Sequence, residues 1–191
     1  MLNALLVCAA LVSADTQPPS PAITLAGNPR SAAPRRVMTP YESAMSKPKM
    51  YSADSIVLDK SQRKLSMYDH GQLVKSYIVA LGRNPVGDKL QRGDGRTPEG
   101  LYRIEGRNPG SKYHLSLRVS YPSAVDREQA ARRGVTPGGD IMLHGLPREF
   151  ATVGALHREQ DWTEGCVALT NEEIEEIWRA VPDGAWILIK P

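Results

Sequence analysis

The chain has 191 residues, 41% of them hydrophobic and 24% charged, which suits one buried core, alone or with a tail. No apolar run reaches the roughly eighteen residues that a membrane-spanning helix needs. The net charge of +3 is carried by residues 15–50, where Arg30, Arg35, Arg36, Lys47 and Lys49 outweigh Asp15 and Glu42. The remainder is balanced, which argues against a basic nucleic-acid-binding face.

The opening stretch MLNALLVCAALVSA is apolar and uncharged and ends in small residues, the pattern of a secretory signal cut after Ala14. It lacks the positive residue usual near Met1. Export is the expectation, and removal of Cys8 with the signal leaves Cys166 alone. An exported protein usually pairs its thiols, so an unpaired one is a candidate reactive group. Residues 15–50 hold seven of the fifteen prolines with no apolar period, which reads as a flexible or extended tether. A domain then occupies residues 51–191, with order beginning near Ser55.

SIVLDK, KLSMYDHG and QLVKSYIVALG are β-type runs joined by tight turns, a meander. GDGRTPEG is a loop by its glycines and proline, and LYRIEG is a further strand. RNPGSKY turns into the alternating HLSLRVSYP. DREQAARRG is a short helix ending at Gly134, and GGDIMLHG is a buried strand between glycines. Pro147 to Gln160 reads as a loop with room for one helical turn. Thr170 and Glu173 form a capping box for NEEIEEIWRAV, whose Ile174, Ile177, Trp178 and Val181 share one face. AWILIK closes the chain as a strand, and core packing is the expected role of its Trp186 as of Trp178. The whole is mainly β, a sandwich or barrel with small helical insertions.

A cysteine attacks as its thiolate, so it needs a base and donors for the oxyanion that forms. Of the four histidines, His70 lies in a turn and His114 opens a strand, while His144 ends the most apolar strand, where a rigid scaffold meets a loop. His157, in the irregular segment, competes with it for the role of base. Gly165, without a Cβ, lets a carbonyl approach the thiol and frees backbone amides to meet it. A buried inert thiol fits the same pattern. A zinc site of Cys166, His144, His157 and a carboxylate is a third reading, but no C-x-x-C or H-x-x-x-H ligand pair is present.

IMLHG followed by TEGCVALTN, together with the run from IVLDK through the GDGRTPEG loop to LYRI, resembles the L,D-transpeptidase catalytic domain of the YkuD type over about residues 54–190. The D-W-T-x-G-C variant is similar to an exported bacterial branch of that family. The resemblance implies a β-sandwich of mixed sheets, Cys166 as nucleophile and His144 as base. Gly165, Thr163, Glu164 and Gly145 are the expected oxyanion or substrate-binding positions. The implied substrate is the stem peptide of peptidoglycan, the place is the periplasm or cell envelope, and no cofactor or metal is used. An amine acceptor makes a cross-link or joins a protein to the wall, whereas water gives a carboxypeptidase or amidohydrolase. A carbapenem is the expected covalent inhibitor. Glu164 and Ala168 depart from the family pattern, which has His and then Arg or Asn at these places. Arg148, Arg158 and Arg107 are candidates for the missing charge, and Trp162, Tyr113 and Tyr121 for the walls of a groove.

Overall fold

Eight strands carry the described part of the chain: β1 (Ser55–Asp59), β2 (Lys64–Asp69), β3 (Gln72–Ile78), β4 (Gly100–Asn108), β5 (Ser116–Val119), β6 (Met142–His144), β7 (Val167–Ala168) and β8 (Trp186–Lys190). They form one mixed sheet in the order β3-β2-β1-β8-β4-β5-β6-β7. This computed structural model describes residues 36–191, and the expected signal over residues 1–14 lies outside them, as does the tether through residue 35. The mainly β fold with few small helices follows the expectation.

β4 is the strand on which the sheet turns. Its first part, Gly100–Arg103, pairs with β8, while Ile104–Asn108 pairs with β5, and the register shifts between Ile104 and Gly106. A bulge of this kind bends a strand and tightens its twist. Alternation then sends Ile56, Leu58, Leu65, Met67, Ile104, Leu117, Leu143, Val167, Ile187 and Ile189 into a common core. Trp178 joins them, as its helical spacing predicts. Trp186, also expected inside, is 43% exposed on the outward face of β8 and lies under the Arg103 guanidinium, 3.3 Å from the ring centroid.

Three short helices complete the unit: α1 (Pro40–Ser46), α2 (Ala124–Arg132) and α3 (Asn171–Ala180). α3 starts at the predicted Thr170–Glu173 capping box and buries Ile174, Ile177 and Trp178. The segment Arg148–Glu159 is more helical than expected, a 3-10 run broken at Gly154. The strand expected across residues 72–82 stops at Ile78; beyond it, Ala80 bridges to Ala168 and Gly82 to Thr163. That continuation is what sews the first half of the domain to the segment around Cys166.

The tether reading needs correction at its C-terminal end. Residues 37–191 form one compact unit, so α1 belongs with the domain. Thr39 and Glu42 form a capping box with Pro40 in the first turn, a start signal that a short, weakly periodic helix hides in a proline-rich stretch. Ala44 is fully buried, Tyr41 meets the edge of Trp178 at 6.3 Å, and Lys47 Nζ lies 2.5 Å from the buried Glu175. A chain starting at Tyr51 is therefore expected to fold but to melt roughly 5 °C lower, for a loss of about 1–2 kcal/mol of packing and pairing. Equal melting temperatures for this chain and the full one would show that α1 contributes no stability.

Candidate active site

The pairing of β5, β6 and β7 determines which side chains share a face. Leu117, Leu143 and Val167 stand in register and are fully buried in the core. Their neighbours Ser116, Met142 and His144 therefore point the other way. Extending the parallel β6–β7 register by one residue sets Cys166 opposite Met142, and the Met142 amide hydrogen-bonds the sulfur. Cys166 and His144 thus lie on one face of adjacent strands, two positions apart in register. Such diagonal neighbours sit about 7–8 Å apart at their backbones, within reach of a long side chain.

The backbone at the thiol is held by a compact knot. Gly165 has φ +130°, and a Cβ there would come within 2.5 Å of the Arg96 carbonyl oxygen. Its amide donates to Thr163 Oγ1 at 3.0 Å, and the same hydroxyl donates to the Cys166 carbonyl at 2.7 Å. Thr163 is itself bound through its backbone, its N–H to Leu81 O at 3.1 Å and its carbonyl to the Arg83 amide at 2.9 Å. Asp161 accepts from the Leu81 amide at 2.8 Å and pairs with Arg63 at 2.9 Å. The sulfur donates to the Asp140 carbonyl at 3.4 Å.

His144 is 4% exposed. Its Nδ1 lies 2.7 Å from the Gly145 carbonyl. A carbonyl can only accept, so Nδ1 carries the proton and Nε2 is left as the basic nitrogen. The Tyr113 ring packs at 4.5 Å and Trp162 meets the imidazole edge-on at 5.8 Å. Burial pushes the His144 pKa down to about 4, opposed by the Gly145 carbonyl and helped by His157. Burial also pushes the Cys166 thiol up, against a smaller pull from the Met142 amide. At neutral pH the resting pair is a thiol and a neutral imidazole, the state in which His144 can take a proton.

The two residues open into a groove of about 540 Å³, with Tyr113, Trp162, Thr163, Glu164, Ser116 and Lys112 among its walls. Of the positions expected to bind oxyanion or substrate, Thr163 and Glu164 therefore reach it. Gly165 and Gly145 serve the frame instead. The Gly165 amide is spent on Thr163, and Gly145 supplies the carbonyl that orients His144, with room only for hydrogen because Asn171 Oδ1 would be 2.6 Å from a Cβ. Tyr113 and Trp162 are walls as expected, whereas Tyr121 is buried and donates to Pro137 O at 2.9 Å. His114 takes φ +70° and binds buried Glu175 through Nε2 at 2.9 Å.

The charge missing at Ala168 is not supplied by the arginines considered from sequence. Arg107 is spent on Asp183, Trp178 O and Val181 O, Arg158 pairs with Glu173, and Arg148 lines a recess beside α1. Lys112 is the cationic side chain in the groove. Nothing in its immediate sequence marks it, since a turn lysine is usually just solvated. Ser116, also not singled out from the sequence, did carry a signal there, because it alternates with Leu115 and Leu117 and so shares the face of His144.

The chain is similar to known proteins. YafK of Escherichia coli (strain K12), provisionally named an L,D-transpeptidase, is 29% identical over 160 residues, 80% of this chain and 56% of YafK. The helical cell shape determining protein Pgp2 from Campylobacter jejuni superposes with a TM-score of 0.56 at 25% identity, over 74% of this chain and 48% of Pgp2. Bd1075 of Bdellovibrio bacteriovorus gives 0.51 at 28% identity, over 75% of this chain and 50% of Bd1075. The chain thus spans about half the length of these relatives. Residues 53–189 match the YkuD family, described as the L,D-transpeptidase catalytic domain, and the chain belongs to that family.

Proposed function

We propose that the protein is an exported cysteine-dependent acyl transferase that acts on peptidoglycan stem peptides in the cell envelope. The observation that carries the reading is the placement of Cys166 and His144 on one face, with Nδ1 bound to the Gly145 carbonyl so that Nε2 is free to accept a proton. In this reading the sulfur attacks a stem-peptide carbonyl as its proton passes to His144 Nε2. The carbon–nitrogen bond then breaks, the leaving amine takes that proton, and a thioester remains on Cys166. An acceptor amine opens the thioester and returns a proton through the same imidazole. With the Gly165 amide engaged by Thr163, the reading rests the oxyanion on the Cys166 amide.

Mass spectrometry of purified muropeptides incubated with the protein tests this. Products longer by one stem, or carrying an added amine, are expected. Shortened stems alone would make the protein a hydrolase using the same pair, and unchanged muropeptides would remove the substrate assignment.

His144 rather than His157 is assigned as base. Both ring nitrogens of His157 are buried without a hydrogen-bond partner, and the ring lines an apolar cavity with Phe150 and Val153, outside the groove that holds the thiol. His144→Ala should slow iodoacetamide alkylation of Cys166 at neutral pH by about tenfold or more, and His157→Ala by about twofold at most. The reverse order would exchange the roles.

The thioester chemistry extends to β-lactams. A carbapenem is expected to acylate Cys166, with Lys112 as the cation nearest to hand for its carboxylate in place of the family's residue at Ala168. Capture should be slower than in relatives that keep Arg or Asn there. Intact-protein mass spectrometry after long incubation reads the adduct; no mass increase on a protein whose thiol still alkylates would show that the groove rejects the lactam.

A further inference from the structure

The loop from β3 to β4 is rich in both charges, and it spends its acids internally. Asp94 takes the buried Lys89 ammonium at 2.7 Å and the amides of Leu90, Gln91 and Arg96 at 2.7, 3.0 and 3.0 Å. Glu99 takes the buried Lys60 ammonium at 2.7 Å. The Lys60 ammonium also donates to Gly87 O and Thr97 O, so the loop is pinned at its middle and at its C-terminal end. What remains in surplus is arginine. Arg83, Arg96 and Arg133 line an open cavity of about 720 Å³, with Asn84, Gln91 and Val86 beside them. Asp94 is the acid in its wall, and both of its oxygens are already engaged. Arg96 is oriented by a bond from Nη1 to Asp88 O at 3.1 Å, and the Arg133 guanidinium makes no ion pair or hydrogen bond with the described residues, its backbone amide alone bonding to Ala130 O at the end of α2.

Two connections tie this cavity to the thiol. Arg83 is ion-paired with Glu164, a wall residue of the groove that holds Cys166. The Arg96 carbonyl lies against Gly165, the residue before the nucleophile. A ligand group in the cavity therefore sits one ion pair away from the groove.

We propose that the cavity is a carboxylate-binding subsite for the part of a stem peptide beyond the bond that is cut. The proposal rests on the function proposed above, which makes the substrate a peptide with several free carboxylates. Guanidinium forks match planar carboxylates two bonds at a time, and three arginines line one cavity here. A carboxylate on Arg83 competes with Glu164 and releases that acid to the rim of the groove.

The test uses the full-length chain carrying Cys166→Ala, so that binding is measured without turnover. A soluble muropeptide with free carboxylates is titrated calorimetrically, and so is the same muropeptide with its carboxylates amidated. Arg96→Gln with Arg133→Gln is expected to weaken binding of the free-carboxylate form by about tenfold, and amidation to do the same with no further loss in the double variant. Arg133→Gln alone, which removes no bond of the fold, should weaken binding about threefold. Melting temperature, together with iodoacetamide alkylation of the same variants with Cys166 retained, checks that the site is intact. An unchanged Kd in folded variants overturns the subsite and leaves the proposed function standing. No binding of either muropeptide to the parent protein overturns the substrate assignment and the subsite with it. Inorganic phosphate binding as tightly as the muropeptide, with the same arginine dependence, would make the cavity a general oxyanion site and overturn the peptide assignment.

Discussion

Cys166→Ser should abolish muropeptide turnover, by on the order of 10³-fold or more, while the melting temperature stays within about 3 °C of the parent. The fold tolerates the change because the side chain's two contacts, to the Asp140 carbonyl and from the Met142 amide, are as available to a hydroxyl as to a thiol. The chemistry does not tolerate it. A buried imidazole whose pKa is held down to about 4 is a weak base, and it can move a thiol proton far more readily than that of an alcohol. A serine variant that turned over muropeptides at the parent rate would end the nucleophile assignment.

The same environment sets the acid limb of the pH profile. His144 is neutral above its lowered pKa, so base function is kept through pH 5–7 and lost as pH falls through about 4. An ordinary solvated histidine would give a limb near its usual value of about 6.5. Finding the limb there in the alkylation rate of Cys166 would mean that another group takes the thiol proton.

Most of the frame could be read from the sequence because local signals agreed with the global fold. The Thr170–Glu173 box, the one-faced α3 and the alternation around Leu117 and Leu143 each report burial in period and caps, and each is found in place. The errors have physical causes. α1 was hidden because seven residues carry too little period to register, and its stability comes from Trp178 and Glu175, 128 or more positions away. Strand limits moved where a non-glycine residue adopts positive φ, as at His114 and Asp140, which trims β5 and β6 to the residues that pair. Trp186 was misplaced because a strand's parity, not its composition, decides which side a side chain takes, and an arginine can cover an outward ring. At the site, Cys166 and His144 were legible as residue types, but their shared face depends on a two-residue strand, β7, too short to announce itself. The use of the Gly165 amide by Thr163 was invisible, since a hydroxyl two residues away can bind an amide or leave it to the substrate.

Gly165→Ala should cut muropeptide turnover by on the order of 10²-fold, by a different route from loss of the thiol. Two penalties meet at that position. The φ of +130° lies in a region that L side chains avoid, and the new Cβ would stand 2.5 Å from the Arg96 carbonyl oxygen, a backbone atom that cannot swing aside. Relief requires the 79–99 loop to retreat from the nucleophile segment, yet that loop is fixed by Lys60 to Gly87 O, Thr97 O and Glu99. The segment around Cys166 is equally tied, through Thr163 to Leu81 and Arg83. A loss of about 3 kcal/mol or more is expected, a drop in melting temperature of roughly 10 °C. The folded protein should still be slowed, because a shift of about 1 Å in the sulfur costs on the order of 10²-fold in an attack that depends on alignment. Circular dichroism melts beside muropeptide turnover separate the two effects. A variant that melts with the parent and turns over at its rate would show that the loops part without cost and that Gly165 does not position the thiol.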